Sequence, residues 1–139
     1  MGDRAVPLSA DGFRLRVLPG RLAIARLPAS AGVPAWTDGP GFRSITHRGD
    51  ELSIVCAEVR VPPDVRAERG WRALEVEGTV DFSVVGLLHA LTGPLAAARL
   101  SVFAASTFDT DVVLVREDTM DRAVEALRGA GFPVERPGA

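Results

Sequence analysis

The stretch Trp71-Arg72-Ala73-Leu74-Glu75-Val76-Glu77-Gly78-Thr79-Val80-Asp81-Phe82-Ser83-Val84-Val85-Gly86-Leu87-Leu88-His89-Ala90-Leu91 changes its hydrophobic period halfway along. Residues Trp71 to Val76 alternate as a strand does. From Phe82 to Leu91 the apolar residues recur at helical spacing, and Thr92-Gly93-Pro94 reads as the stop, with one more helical turn over Leu95 to Ala98. A strand that feeds a helix in so short a distance is the opening of a layered α+β unit.

The residues that follow this stretch complete that unit. Leu100 to Ala105 and Val112 to Val115 are apolar strands around the turn Thr107-Phe108-Asp109-Thr110. Asp118 or Thr119 caps a helix through Arg128, with Val124 and Leu127 on its inner face and Gly129 and Gly131 beyond its end. Phe132-Pro133-Val134-Glu135 is a last short strand. The order is βαββαβ, the split βαβ or ferredoxin-like motif.

The N-terminal side has a different texture. Phe13 to Leu18 alternates apolar and basic residues, Pro19-Gly20 forms a turn, and Leu22 to Leu27 is a second strand. Pro28 to Gly41 reads as a loop with at most one helical turn, around Trp36. Phe42 to His47 and Glu51 to Ala57 form a hairpin across Gly49-Asp50. This half reads as a compressed copy of the other, its helices reduced to turns. The expected organisation is an N-terminal unit over 13–69 and a complete unit over 70–136.

Composition limits the chemistry. The protein has 139 residues, a net charge of -2, one cysteine and no tyrosine, and all sixteen basic residues are arginine. A mildly acidic protein lacks the basic face of a nucleic-acid partner. Without lysine there is no Schiff-base chemistry and no phosphate-loop lysine. A single cysteine excludes a disulfide framework and a cysteine-rich metal site. No apolar run reaches signal-peptide or membrane-span length, so no membrane role and a cytoplasmic location are expected.

Two segments could carry function. Asp81 to Leu87 joins a strand to a helix, and such a junction leaves backbone N–H groups facing outward, where they suit an anion. Gly86 within it suggests close approach of a ligand or a neighbouring backbone. Ser106 to Asp111 gathers hydroxyls and carboxylates between two apolar strands. Read singly, capping by Asp81 or Ser83 and turn chemistry account for both segments better than a ligand does. Cys56 alternates with Leu52 and Ile54 and reads as a buried core thiol; His47 and His89 read as surface or packed side chains. No Ser/His/Asp or Cys/His grouping marks a catalytic site, and neither a metal site nor a cofactor is expected.

Taken together, Gly78 to Leu87, Pro94 to Ala98 and Ser106 to Val115 resemble ACT domains of the CASTOR and aspartate-kinase type. Phe42 to Thr46 followed by Asp50 to Cys56 is similar to the segment preceding this domain in small bacterial tandem-ACT proteins. The resemblance implies two ACT-like units side by side, the first with shortened helices, and a non-catalytic regulatory role in sensing an amino acid. It implies ligand contacts at Asp81, Val84, Val85, Gly86 and Leu87 in the loop, and at Thr107, Phe108 and Asp111 in the turn. The helix N-terminus would take an α-carboxylate and Asp111 an α-amine. The resemblance also implies an acidic residue at the position of Val84 in arginine-sensing relatives; valine does not pair a guanidinium, so arginine is not the expected ligand. A homodimer and a separate regulated protein are the implied partners. The alternative is an ACT-fold assembly module without a working pocket.

Overall fold

The computed structural model describes residues 12–137. Its elements are β1 (Leu15–Val17), β2 (Leu22–Pro28), β3 (Ser44–Arg48), β4 (Glu51–Ala57), β5 (Ala67–Val76), α1 (Leu87–Ala97), β6 (Phe103–Ala104), β7 (Val112–Arg116), α2 (Met120–Gly129) and β8 (Val134–Glu135), an α+β set. Residues 20–72 form one compact unit; the described residues before Gly20 and after Arg72 form the other, so that β5 is divided between them. The expected boundaries, 13–69 and 70–136, follow sequence order, whereas this division groups β1 with the C-terminal elements.

In the unit over 20–72, β4 pairs antiparallel with β3 and with β2, and β2 pairs with the first part of β5. Arg48 faces Glu51 across the hairpin. Gly49 therefore holds the first of two loop positions, and its φ of +53° is one that a side chain resists. Leu52, Ile54 and Cys56 share one face of β4 and are fully buried with Ala23, Ala25 and Val61. The Pro/Gly-rich segment from Pro28 to Gly41 contains two 3-10 turns, Ala29–Ala31 and Ala35–Thr37, where the sequence suggested at most one.

In the other unit, β5, α1, β6, β7, α2 and β8 follow in the βαββαβ order. β6 pairs antiparallel with β7, and β7 pairs with β5. The N-terminal strand joins this set. β1 lies antiparallel to β5, with Leu15 opposite Val76, and parallel to β8, with Leu15 opposite Val134. Leu15 and Val17 point into the core while Arg16 stays outside and pairs with Glu75 at 3.0 Å. The buried side of α2 is Met120, Ala123, Val124 and Leu127, at the i, i+3, i+4, i+7 spacing of one helical face.

Three expectations change. α1 begins at Leu87, five residues later than the apolar spacing suggests, because Gly86 takes φ +84°, which a right-handed helix interior does not contain. Nor does α1 stop at Pro94; it runs through to Ala97, with Leu87, Leu91 and Leu95 buried at four-residue intervals on either side of the proline. The strand expected over Leu100 to Ala105 is regular only at Phe103–Ala104.

Candidate functional site

The loop before α1 is shaped by its own side chains. Asp81 Oδ1 accepts the Ser83 N–H at 2.8 Å, and Val84 N–H donates to the Asp81 carbonyl at 3.0 Å, closing a tight turn. This local bonding competes with helix and holds Phe82 to Val85 in an exposed turn. The bonds from Ser83 also hold the Asp81 carboxyl below its ordinary range. They favour the ionised form, so the turn is supported above that range and loses the support as pH falls through the lowered value. Beyond the turn, Gly86 caps α1, and the first intrahelical bond runs from Ala90 N–H to the Gly86 carbonyl at 2.9 Å. The N–H groups of Leu87, Leu88 and His89 precede that bond, as in any helix start.

The second loop is built from Ser106 to Asp111. Thr107 N–H donates to the Thr110 carbonyl at 2.8 Å, and Thr110 N–H donates to Thr107 Oγ1 at 3.2 Å, which leaves Phe108 and Asp109 at the tip. Thr110 Oγ1 reaches back to the Val76 carbonyl at 2.8 Å, and Val76 N–H donates to the Asp111 carbonyl at 3.1 Å. Val80 N–H donates to the Asp109 carbonyl at 2.6 Å. The Asp111 carboxylate accepts the Ser106 hydroxyl at 2.6 Å through Oδ1. Backbone and side chain of Asp111 are thus both held in place.

These bonds bring the two loops to one open cleft of about 360 Å³. Of the residues singled out from the sequence, Asp81, Val84, Gly86, Leu87, Thr107, Phe108 and Asp111 line it. Val85 does not; it is 58% exposed. The cleft adds Val80, Phe82, Leu88, His89, Ser106 and Thr110. Phe82 meets Phe108 edge to face, with ring centroids 4.8 Å apart and planes at 70°. Sequence reasoning passed over Phe82 because it was assigned to the apolar face of a helix that starts only at Leu87. Gly86 is required by its positive φ, a reason different from the close approach expected of it.

Cys56 is fully buried in the other unit, where burial pushes its thiol above the ordinary range. His47 and His89 are exposed on β3 and α1. Among the described residues there is no group of three or more metal-ligating side chains, and no helix is long and apolar enough to cross a membrane.

A βαββαβ layer of this kind defines a class, the ferredoxin-like α+β fold. Comparison with known proteins makes this specific. The ACT domain model matches residues 66–129, and a model described as an N-terminal domain matches residues 20–64. An Agobacterium tumefaciens protein of known crystal structure is 39% identical, with a TM-score of 0.86 over 91% of this chain and 95% of that one. The cytosolic arginine sensor for mTORC1 subunit 1 of Bos taurus is 37% identical over 107 residues, 68% of this chain and 32% of the sensor. The chain therefore spans about a third of the length of that curated relative. The regulatory subunit of aspartate kinase from Thermus thermophilus, at 10% identity, shares the fold with a TM-score of 0.58 over 88% of this chain and 99% of its own. Residues 66–129 of the chain therefore match the ACT domain family.

Proposed function

We propose that this chain is a non-catalytic regulatory protein that binds an amino acid in the cleft between the Asp81–Leu87 loop and the Thr107–Asp111 turn. The observation that carries the reading is the convergence of these two loops, 20 residues or more apart in sequence, on a single cleft. Its volume lies near the lower end of the ~300–1,000 Å³ usual for small-molecule sites, which suits a ligand of amino-acid size. Asp111 supplies an anion for an α-amine, and the opening turn of α1 supplies N–H donors for an α-carboxylate. The sensor relative, whose name records arginine, supports a ligand of the same chemical class.

A thermal-shift screen of the twenty amino acids, followed by calorimetry, tests the proposal. At least one amino acid should raise the melting temperature, and Asp111→Asn should weaken its binding by about 1.5–3 kcal/mol. A screen in which no amino acid shifts the transition would overturn the reading. Gly86→Val is a poor test, since a β-branched residue at φ +84° strains the backbone as well as filling the cleft.

A second reading has an observation of its own. Phe82 is 74% and Phe108 78% exposed, and an apolar rim of this kind suits contact with another protein surface. We propose accordingly that the protein pairs as a homodimer and acts on a separate regulated protein. Light scattering should give twice the monomer mass of 14.7 kDa; a monomer mass at high concentration would count against pairing.

A further inference from the structure

We infer that the cleft selects amino acids whose side chain is large and apolar, and that the Phe82–Phe108 pair makes the selection. The inference rests on the amino-acid reading proposed above. It starts from the ionisable groups that line the cleft, which are two carboxylates, Asp81 and Asp111, and one imidazole, His89, with no guanidinium; the protein has no lysine to add. An acidic ligand side chain would meet like charge from both carboxylates, and the His89 imidazole that could pair with it is solvent-exposed, where water screens the pair until it adds little. A basic one would find Asp81, but that carboxylate is solvent-exposed and already accepts the Ser83 N–H, and water screens an exposed ion pair until it adds little. The amine common to all amino acids has Asp111, which Ser106 fixes in place. Charge in the cleft therefore favours the amino-acid frame and gives no preference to a charged side chain.

The walls do discriminate. Val80, Val84, Leu87 and Leu88 are apolar, and two phenylalanine rings from separate loops line the cleft with them, edge to face with centroids 4.8 Å apart. Both residues are more than seven-tenths exposed, an uncommon state for a pair of large apolar residues in contact. An apolar ligand side chain seated against them removes ring surface and its own surface from water together, and gains from it in proportion to the area covered. Glycine or a short polar side chain covers neither ring.

The test is calorimetry on the intact protein with L-phenylalanine, L-leucine, L-methionine, L-arginine, L-glutamate and glycine, repeated with Phe82→Ser and Phe108→Ser. Both positions are exposed, so the variants should keep the fold, checked by circular dichroism, and light scattering records the mass of each. The three apolar amino acids should bind at least about tenfold more tightly than the other three. Each variant should lose about tenfold for the apolar set while glycine binding stays as it was. If arginine or glutamate binds best, and Asp111→Asn removes that binding, the apolar selection is wrong while the amino-acid reading stands. If none of the six binds, both fall. If the variants change the mass in solution and leave every affinity untouched, the rings serve assembly and the inference is overturned.

Discussion

Single residues close both helices in the same way, with different chemistry. At the end of α2, Phe132 N–H donates to the Leu127 carbonyl at 3.0 Å and Gly131 N–H to the Arg128 carbonyl at 3.0 Å, with Gly131 at φ +99°. At the end of α1, Leu100 N–H donates to the Leu95 carbonyl at 3.0 Å and Arg99 N–H to the Ala96 carbonyl at 2.9 Å. This is the Schellman pattern in both cases, and each time the residue beyond the left-handed position is buried in the core beside its bonding partner. Arg99, at φ +64°, occupies a position that favours glycine. Arg99→Gly should therefore stabilise the fold by up to about 1 kcal/mol, the relief being partly offset by a freer unfolded state. Gly131→Ala should destabilise it by about 1 kcal/mol. Urea denaturation of both variants checks the pair, and shifts of the same sign would rule the account out. Gly131 was legible as a helix terminator because glycine announces a positive φ. Arg99 was not, because an arginine carries no such signal.

At the scale of elements, α1 shows burial overriding local preference. A proline within a helix removes one backbone bond and crowds the preceding turn, at a cost of about 3 kcal/mol in a regular helix. Here the helix crosses Pro94 because stopping there would withdraw Leu95 from the core, where it is fully buried with Leu91. Leu95→Ala should cost about 2–5 kcal/mol, whereas Pro94→Ala, which restores an N–H facing the Ala90 carbonyl, should raise the melting temperature. Calorimetric unfolding of the two variants decides; a Pro94→Ala variant that melts earlier than the parent would show that the proline fits its site better than alanine does. Elements with clean periodicity were read correctly. α2 has its buried residues at the expected spacing, and β4 buries every second side chain on one face. α1 was misplaced at both ends, because Phe82 and Val85 continue a helical apolar pattern that the Asp81 turn and Gly86 interrupt. Loop apolarity, exposed at Phe82 and Val85, looked like core.

For the whole molecule, the composition makes its alkaline behaviour unusually simple. With no lysine and no tyrosine, the one side chain that titrates between the histidine range and that of arginine is Cys56. Burial raises its folded-state value, and the nearby Arg60 and Arg43 only partly oppose this. A raised value means that its contribution to stability is intact below the unfolded thiol range and is lost as pH rises through the folded value. Denaturation midpoints should therefore fall above roughly pH 8.5, and Cys56→Ala should flatten that slope whatever it does to the midpoint at neutral pH. A slope unchanged by the substitution would mean that another group governs the alkaline limb.

The sequence by itself determined the order of strands and helices, the family resemblance and the two loops that meet at the cleft. Those properties follow from period, turn residues and short-range chemistry, all of which act between near neighbours along the backbone. Only the tertiary structure decided which residues of those loops share a cleft. Val85 stays outside it, exposed just after the Asp81 turn; Phe82, Leu88 and Ser106 enter it because hydrogen bonds from Val76, Val80 and Thr110 draw the two loops together. Tertiary structure likewise set β1 between β5 and β8, a pairing between strands more than 50 residues apart. Such contacts depend on which apolar faces remain to be covered once the local elements have formed, and no local pattern records that.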